Sequence, residues 1–300
     1  MKDWIFFLTL FSVLLYVYIR YYHSKMIDLE DLVDEVNYKQ MYGGRTKYQD
    51  IDVIQFNPNQ RGYNKCLVLD GEIQLCDNDE AAYHEMITHF PAYYLKKLEH
   101  VLIVGGGDLM TLREVMKHDT IKSAVMLELD GAVIAVCKKH FGVDDFKRDP
   151  RVKIIVGDAA QTIKNLPNNL YDLVIVDSTE DNVNNSPIEQ RWFFEECKKK
   201  MRRGGILIKN GYITKHMPRE TKVYKRQMRQ KLRQTFKNVG VYTENIYTYG
   251  DTDYSFMMCS DAHDIRDPRQ NEEIMRLRGG FKKYDPTRQN KYIRVEYNDQ

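Results

Sequence analysis

The chain has 300 residues, with 45 lysines and arginines against 43 aspartates and glutamates, for a formal net charge of +2. This length can bury one large hydrophobic core, or one core with a small appended domain. A near-balance of charge argues against a dedicated nucleic-acid-binding protein, which concentrates positive charge on its binding surface. We therefore expect no nucleic-acid partner.

Residues 4–19, WIFFLTLFSVLLYVYI, carry no charge and are strongly apolar. The stretch is slightly short for a membrane-spanning helix, which needs about 20 apolar residues, but neighbouring tyrosines could extend it as an interfacial belt. Because no small-residue cleavage site follows, we predict a membrane anchor over residues 1–25, with a signal peptide and a buried helix as the alternatives. Arg20 and Lys25 favour a cytoplasmic body. The sequon Asn184-Asn185-Ser186 would matter only in the opposite orientation.

Residues 26–98 form the next predicted unit, a small N-terminal β-domain with a linking helix. The segment DIDVIQF alternates apolar and polar residues, and two short apolar runs flank Asp70-Gly71, a strong signal for a two-residue hairpin. The pattern of residues 79–98 then predicts a helix, with Asp79 and Glu80 interpreted as its N-terminal cap.

The five cysteines show no CxxC pair and no zinc-ligand spacing, and an odd count does not suggest a disulfide framework. Cys66 and Cys76 flank the predicted hairpin and could lie close to each other. We interpret all five as reduced, buried thiols, with a contact between this pair as the alternative.

From residue 99 to residue 300, short apolar strands alternate with helical segments. The strand sequences are VLIV, AVMLELD, RVKIIV, DLVIVD and GILIKNG, and YSFMMCS near residues 254–260 is a late strand typical of an antiparallel addition at a sheet edge. Strands that alternate with helices predict an α/β fold with a doubly wound, mostly parallel sheet. We expect seven strands, of the Rossmann-like methyltransferase type, in a catalytic domain over residues 99–300.

Acidic residues and glycines stand at the carboxyl ends of four of these strands, where doubly wound sheets bind their ligands. These ends are Gly105-Gly106-Gly107-Asp108, Glu128 with Asp130, Gly157-Asp158, and Asp177. A single aspartate after a strand is usually a helix cap. Because the four ends meet at one edge of the sheet, we interpret them together as a binding site.

The glycine loop and Glu128 indicate an adenosine-bearing ligand. Glycine has no Cβ, so the loop lets a ligand approach the backbone closely. Glu128 lies 20 positions after Asp108, at the end of the next strand, where a carboxylate accepts hydrogen bonds from ribose hydroxyls in nucleoside-binding sheets. The pyrophosphate fingerprint GxGxxG would need a glycine in place of Met110, so a sulfonium nucleoside fits better than a dinucleotide.

Several segments resemble the polyamine aminopropyltransferase (spermidine synthase) family, in order and at the family's spacing. They are RTKYQDI (residues 45–51), LVLDGEIQLCDNDEAAYHEMITHFP (67–91), VLIVGGGDLMTLREVMKH (101–118) and YDLVIVDS (171–178). The resemblance extends over nearly all of residues 45–296. It implies a small N-terminal β-domain joined to an α/β catalytic domain, commonly in dimers. It also implies transfer of an aminopropyl group from decarboxylated S-adenosylmethionine to a polyamine such as putrescine.

The resemblance implies roles for individual residues. Those of the cofactor site are Gln49, Gly105, Gly107, Asp108, Glu128, Asp158 and Ala159. Those that face the polyamine and the transferred chain are Tyr83, His84, Asp108, Ser178, Glu180 and Tyr249. Asp177 matches the family's proton-accepting aspartate. Without the resemblance, Tyr83 and His84 would be interpreted as packing residues and Glu128 as a helix cap.

Elementary chemistry agrees with this role for Asp177. A primary amine with a pKa near about 10 arrives protonated, and bringing it to its neutral, nucleophilic form at neutral pH costs about 4–5 kcal/mol. A carboxylate beside the amine can accept the proton and orient the lone pair toward the carbon next to sulfur. We expect no metal, because a sulfonium is already an activated leaving group.

The site also departs from the family pattern. Leu109 and Met110 replace two glycines and add bulk where the aminopropyl chain should pass, and residues 183–185 replace the family's MGPA segment. These changes leave three hypotheses. They are an aminopropyltransferase with altered substrate preference, an N-methyltransferase that uses S-adenosylmethionine itself, and a catalytically weakened, membrane-tethered homologue that binds a nucleoside or polyamine. An enzyme is favoured by four retained residues, Gln49, Tyr83, Glu128 and Asp177.

Overall fold

The structure, a computed structural model, describes residues 38–57, 64–144, 146, 148–178, 186–213, 219–250, 252–268, 276–277 and 279–294. The predicted anchor, residues 1–25 with its apolar stretch at 4–19, lies outside these residues, and so does the predicted polyamine contact Glu180. Among the residues described, no helix has the length and apolar character needed to cross a bilayer.

A four-stranded antiparallel sheet forms the N-terminal part of the described chain. Its strands, in order across the sheet, are β1 (Tyr38–Arg45), β2 (Asp50–Phe56), β3 (Lys65–Leu69) and β4 (Glu72–Cys76). The predicted hairpin is confirmed between β3 and β4, where Asp70 and Gly71 adopt φ values of 48° and 85°. Positive φ at both central residues gives a two-residue turn whose twist matches that of the flanking strands.

The register of this hairpin places Cys66 opposite Cys76, and the two sulfurs form a disulfide. The interpretation of all five cysteines as reduced thiols is therefore wrong for this pair. The other three, Cys137, Cys197 and Cys259, are buried free thiols. The cysteine count gave no sign of this disulfide, because the three free cysteines make the total odd. The strand register brings the two sulfurs together.

An eight-stranded sheet forms the centre of the rest of the molecule. Its strands are β5 (His100–Gly105), β6 (Ser123–Glu128), β7 (Val152–Val156), β8 (Tyr171–Asp177), β9 (Met201–Ile213), β10 (Asn238–Ile246), β11 (Thr252–Ser260) and β12 (Ile293–Arg294). Their order is β12-β10-β11-β9-β8-β5-β6-β7. Strands β7, β6, β5, β8 and β9 run parallel to one another. Strands β11, β10 and β12 continue the sheet beyond β9 with antiparallel pairing.

This mixed sheet confirms the predicted doubly wound, Rossmann-like α/β fold. The expected count of seven strands was one too few. The eighth strand, β12, has two residues and pairs with β10 through Ile293 and Tyr242. A two-residue strand is too short to leave an alternating pattern in the sequence, so only the folded chain shows it.

Helices cover both faces of the large sheet. They are α1 (Glu80–Ala92), α2 (Met110–Met116), α3 (Gly131–Phe141), α4 (Ala159–Thr162), α5 (Arg191–Lys200), α6 (Arg219–Thr235) and α7 (Gln289–Tyr292), with 3-10 turns at Ile163–Asn165, Pro187–Glu189, Tyr247–Tyr249 and Pro286–Arg288. Alternate residues of β5 face opposite sides, so Val101 and Ile103 join one hydrophobic cluster with α1 and α2. Leu102 and Val104 join the other, with α4, α5 and α6.

Helix α1 ends at Ala92, one residue after Pro91, rather than at the predicted residue 98. All 13 of its residues are buried, including its charged side chains. Glu85, for example, accepts backbone hydrogen bonds from residues 282–284 at 2.7 to 2.8 Å. A helix packed on all sides holds the side chains of Tyr83 and His84 in fixed positions.

Candidate active site

The glycine loop after β5 packs directly against the end of β8. Gly105 and Gly106 adopt φ values of 83° and 73°, and the Gly106 N–H donates to the Asp177 carbonyl oxygen at 2.9 Å. A Cβ on Gly105 would lie 1.9 Å from that same oxygen, so no side chain fits there. The close approach places Asp108, which follows the loop, on the same edge of the sheet as Asp177.

Asp177 is held by two neutral donors, one on each carboxylate oxygen. The Tyr83 hydroxyl donates to Oδ1 at 2.6 Å, and the Thr111 hydroxyl donates to Oδ2 at 2.6 Å. Burial raises the pKa of Asp177 above its ordinary value, and the negative charge of Asp108 raises it further. A fixed carboxylate with a raised pKa is suited to accept a proton.

Asp108 is in a different state, because it is paired with an imidazole. His84 Nε2 lies 3.4 Å from Asp108 Oδ1, and the Met110 N–H donates to the same oxygen at 2.7 Å. Burial alone would raise the pKa of Asp108, but the charge of His84 and these hydrogen bonds outweigh it and hold the pKa below its ordinary value. Asp108 is therefore a carboxylate whenever His84 is protonated.

One potential ligand atom from each of His84, Asp108 and Asp177 lies within 4.8 Å of the others. The two carboxylates make this a place for a cation, either an ammonium group or a metal ion. Burial alone would lower the pKa of His84, but Asp108 and Glu80 outweigh it and hold that pKa well above its ordinary value. With both carboxylates ionised and His84 protonated, the three groups carry a net negative charge, which suits a cation such as an ammonium group.

Aromatic rings line the side of the site next to Tyr83. The ring centroids of Tyr249 and Tyr254 lie 6.3 and 5.6 Å from that of Tyr83, and 5.0 Å from each other. Such faces can pack against the methylene chain and the charged groups of a polyamine. Tyr254 was missed at the sequence level, where it was one more tyrosine in a predicted edge strand.

The position of Tyr249 depends on a contact that the sequence did not predict. Asp79 accepts the Thr248 N–H at 2.7 Å and also accepts the Thr248 hydroxyl. Asp79 occupies the N-cap position of α1, as predicted, but its side chain makes no capping hydrogen bond to the helix. The carboxylate instead ties the turn Tyr247–Tyr249 to the start of α1, across 169 residues of sequence. Such a long-range partner leaves no local pattern.

Glu128, at the end of β6, lies against the second half of the glycine loop. A Cβ on Gly107 would lie 2.9 Å from the Glu128 carboxyl group. One oxygen of this group accepts the Asp130 N–H at 2.8 Å. Burial raises the pKa of Glu128 to about 7, and the negative charges of Asp108 and Asp130 contribute. The acid therefore titrates in the physiological range.

The four-stranded sheet reaches this region through Gln49. Its Nε2 lies 3.4 Å from Asp130 Oδ2, and the Thr46 hydroxyl donates to the same oxygen at 2.7 Å. Asp130 also caps α3 by accepting the Ala132 N–H at 3.0 Å. Gln49 is therefore placed beside the end of β6 by a contact between the two sheets.

Asp158 and Ser178 complete the predicted set within the described residues. Asp158 is exposed and caps α4 by accepting the Ala160 N–H at 2.8 Å, next to the nearly buried Ala159. The Ser178 carbonyl accepts a hydrogen bond from Asn210 Nδ2 at 2.8 Å. Both follow strand ends, as predicted, but neither contacts Asp177 through its side chain in any described hydrogen bond.

Comparison with known proteins now identifies the family. The spermine/spermidine synthase domain family matches residues 80–268, which include Tyr83, Asp108 and Asp177. The chain belongs to this family. Its known members are aminopropyltransferases.

Similar sequences and structures agree with this assignment. The spermidine synthase of Solanum lycopersicum is 35% identical over 238 residues, covering 77% of this chain and 66% of that protein. Spermidine synthase 2 of Arabidopsis thaliana is 39% identical over 170 residues, covering 56% and 49%. The chain thus spans about half to two thirds of the length of these relatives. A crystal structure of spermidine synthase with the transition-state analogue AdoDATO aligns with a TM-score of 0.77 and 25% identity over 86% of each chain.

A second solved structure, the spermidine synthase of Thermotoga maritima, aligns equally well, with a TM-score of 0.77 and 25% identity. It covers 86% of this chain and 85% of that one. Both structural alignments cover more of the chain than the family match does.

Two departures from the family pattern are absorbed by packing. Leu109 adopts φ 69° and is fully buried in the cluster that contains Tyr83 and Leu112. Met110 is 2% exposed and packs with residues of the four-stranded sheet and α3, including Ile51 and Val133. The added bulk therefore fills the molecule's interior, at the cost of a left-handed conformation for Leu109 that glycine adopts more readily.

Thr111, Glu80 and Arg113 were also missed as site residues at the sequence level. A threonine in the first turn of the otherwise apolar segment MTLREVM was an available signal for Thr111. Glu80 was interpreted as a helix cap, yet its carboxylate bonds to His84 and Arg113. These contacts depend on how α1 packs against α2, which a one-dimensional pattern does not specify.

Proposed function

We propose that this protein transfers an aminopropyl group from decarboxylated S-adenosylmethionine to a primary amine of a polyamine acceptor such as putrescine. The observation that carries the proposal is the pair of strand-end carboxylates, Asp177 with its two neutral donors and Asp108 with its imidazolium. One member can accept a proton while the other remains an anion. The family assignment supplies the class of reaction, aminopropyl transfer, in which one acid must accept the proton of the amine while an anion still attracts the ammonium ion.

The acceptor amine arrives as an ammonium ion, which the negative charge of Asp108 and Asp177 attracts. Asp177 accepts one proton from it, and the resulting neutral nitrogen has a free lone pair. The nitrogen forms a bond to the methylene carbon next to sulfur, while the carbon–sulfur bond breaks and its electron pair remains on sulfur as a neutral thioether. Tyr83 and Thr111 hold Asp177 so that it faces the amine throughout.

The cofactor is held, in this proposal, by the other end of the site. Glu128 accepts hydrogen bonds from the ribose hydroxyls, and Gln49 lies beside it. Gly105 and Gly107 allow close approach of the cofactor to the backbone. Asp158 and Ala159 lie near the adenine. We name this set the cofactor end, and Asp108, Asp177, Tyr83 and His84 the amine end.

We propose that the reaction needs no metal ion. A sulfonium is already an activated leaving group and departs without a Lewis acid. Tyr249, with Ser178 and Glu180, is proposed to face the polyamine, as the family resemblance implies.

The test is product identification by mass spectrometry with the full-length chain. The protein is incubated with putrescine or spermidine and either decarboxylated S-adenosylmethionine or S-adenosylmethionine itself. An aminopropylated amine that disappears in Asp177→Asn is the expected product. A methylated amine would indicate the N-methyltransferase, and nucleoside binding without turnover would indicate the catalytically weakened homologue. Either result contradicts the proposal.

From sequence alone we also propose that residues 4–19 anchor the protein in a membrane with its body on the cytoplasmic side. The Cys66–Cys76 disulfide argues for the opposite side, because disulfides persist in oxidising compartments. Protease protection of membrane vesicles containing the full chain distinguishes the two orientations. Glycosylation at Asn184 would contradict a cytoplasmic body.

We further propose a homodimer, as the family resemblance implies. Light scattering of the purified chain should give twice the mass of one chain, 35.6 kDa. A mass equal to one chain at micromolar concentration would contradict this proposal.

A further inference from the structure

A cluster of charged side chains that the proposed reaction does not use contacts His84 through Glu80. Glu80 and Glu114 are 6% and 1% exposed at their side chains, and Arg113 between them is 29% exposed. Glu80 lies one helical turn before His84 on α1. The cluster therefore extends from the amine end into the interior of the molecule.

The contacts of His84 define which atoms carry protons. His84 Nδ1 lies 2.7 Å from the Glu80 carbonyl oxygen and 3.0 Å from Glu80 Oε2. A carbonyl oxygen only accepts hydrogen bonds, so Nδ1 must be the donor. The other ring nitrogen, Nε2, faces Asp108 Oδ1. With an anionic oxygen beside each nitrogen, the ring is an imidazolium.

Arg113 prevents Glu80 from turning away. Its NH2 group donates to Glu80 Oε2 at 2.7 Å, and its Nε donates to Glu114 Oε1 at 2.9 Å. Glu114 is itself held by His89 at 2.9 Å and by Lys117 at 2.6 Å. The guanidinium is thus held at two of its three nitrogens, and it fixes the carboxylate that contacts His84.

We propose that Glu80, held by Arg113, is a positioning residue that keeps His84 doubly protonated. Asp108 then remains an anion while Asp177 accepts the proton of the amine. This inference rests on the proposed function and adds a residue to it. The imidazolium keeps Asp108 anionic. Without it, Asp108 and Asp177 would be two adjacent carboxylates with no cation between them, and such pairs share a proton.

The charged and titratable groups that face His84 come from each element packed against it. They are Glu80 and Tyr83 from α1, Asp108 from the loop after β5, and Asp177 from β8, with Arg113 of α2 acting through Glu80. Arg113 and His84 together lower the pKa of Glu80 to about 2, against the opposing effect of burial, which is the largest single influence. Glu80 is therefore an anion over the whole range in which activity can be measured.

The test compares the pH dependence of kcat/KM for Glu80→Gln with that of the unsubstituted protein. His84 acts on Asp108 more strongly than Glu80 does, so loss of the imidazolium charge dominates. The apparent pKa of the Asp108–Asp177 pair then rises, so the pair loses its shared proton only at higher pH. We expect the acid limb of the profile to move upward by about one pH unit, so that kcat/KM falls by up to about tenfold below the midpoint of the limb and recovers above it. Glu80→Asp, which retains the charge, should restore part of the activity.

Glu114→Gln is the matched control, because it removes a buried acid that contacts Arg113 but not His84. It should lower the melting temperature without moving the acid limb. If Glu80→Gln lost activity equally at every pH, as Glu114→Gln would through damage to folding alone, the inference would be overturned while the proposed function stood.

A second measurement does not depend on folding of a variant or on activity. The ¹⁵N chemical shifts of the His84 ring in the unsubstituted protein should show both nitrogens protonated at pH 8. A neutral ring at that pH overturns the inference, whatever reaction the protein catalyses.

Discussion

The two ends of the proposed site place carboxylates at neighbouring strand ends but leave them in different electrostatic states. At the amine end, Asp108 lies 3.4 Å from the imidazole of His84, and its pKa is lowered. At the cofactor end, Glu128 accepts an N–H from Asp130 and lies near other acids, and its pKa is raised to about 7 by burial. Asp177 is a third case: its pKa is raised, and both side chains that donate hydrogen bonds to it, Tyr83 and Thr111, are neutral.

This comparison shows that position at a strand end does not determine protonation. All three acids lie at the same edge of the sheet and are largely removed from water. What differs is whether a cation contacts the carboxylate, because a nearby positive charge offsets the cost of burial and a neutral donor does so only in part. The amine end therefore places an acid with a lowered pKa, Asp108, beside one with a raised pKa, Asp177.

The largest expected effect comes from removing the proton acceptor. Asp177→Asn keeps the size of the side chain but cannot accept the amine proton, so kcat should fall by about 10²- to 10⁴-fold. The KM for decarboxylated S-adenosylmethionine should change little, since that ligand is assigned to the other end. Steady-state kinetics checks both. Retention of more than a tenth of the activity would assign the proton transfer to another group.

A smaller effect is expected from the neutral donor on the same carboxylate. Thr111→Val removes the hydrogen bond to Asp177 Oδ2, which lowers the pKa of that acid. The pKa of Asp177 should rise, and because the reaction needs the ionised form, kcat/KM should fall on the acid limb of the pH profile and recover at higher pH. Thr111→Ser keeps the hydroxyl and serves as the control. Equal losses in both variants would point to packing rather than hydrogen bonding.

At the cofactor end, nucleoside affinity should depend on pH through Glu128. The group must be ionised to accept two ribose hydrogen bonds, and its pKa is about 7. Binding of adenosine, which carries no titratable group in this range, should therefore tighten about tenfold between pH 6 and pH 8. Calorimetry measures this directly. Glu128→Gln should bind more weakly and without the pH dependence, and a persistent dependence would assign the titration elsewhere.

The smallest expected effect concerns Asp158, which was predicted as a ligand contact and is observed as the cap of α4. Asp158→Ala should lower the free energy of unfolding by about 1 kcal/mol, as the loss of an exposed cap usually does. Adenosine affinity should fall only about threefold. Denaturant unfolding and calorimetry on the same preparation separate the two roles. A loss of affinity larger than that of Glu128→Gln would make Asp158 the principal nucleoside contact.

Much of the cofactor end could be predicted from sequence because its parts are local. The glycine loop, Glu128 and Asp158 each follow a strand whose apolar run is visible, and parallel strands bring their carboxyl ends to one edge. The hairpin at Asp70-Gly71 was predictable for the same reason, since the turn is made by its own two residues. The disulfide beside it was not, because cysteine pairing depends on register rather than on count.

The amine end could be predicted only in part. Tyr83 contacts Asp177 across 94 residues of sequence, and Asp79 contacts Thr248 across 169. Asp79 and Glu80 look like a helix cap in sequence, since acids at a helix start usually are. In the folded chain Asp79 contacts Thr248 while Glu80 contacts His84 and Arg113, because the helix is buried and packs against several elements.

By itself, the sequence determined the alternation of parallel strands with helices, the strand-end acids and glycines, and the family, since each is a pattern of neighbours along the chain. The tertiary structure alone decided which acid is paired with a cation. That depends on the packing of α1 against α2 and β8, which sets distances of 2.6 to 3.4 Å among Tyr83, His84, Asp108 and Asp177. Electrostatic energy inside a protein changes steeply over such distances, so the protonation state of each acid follows from the fold.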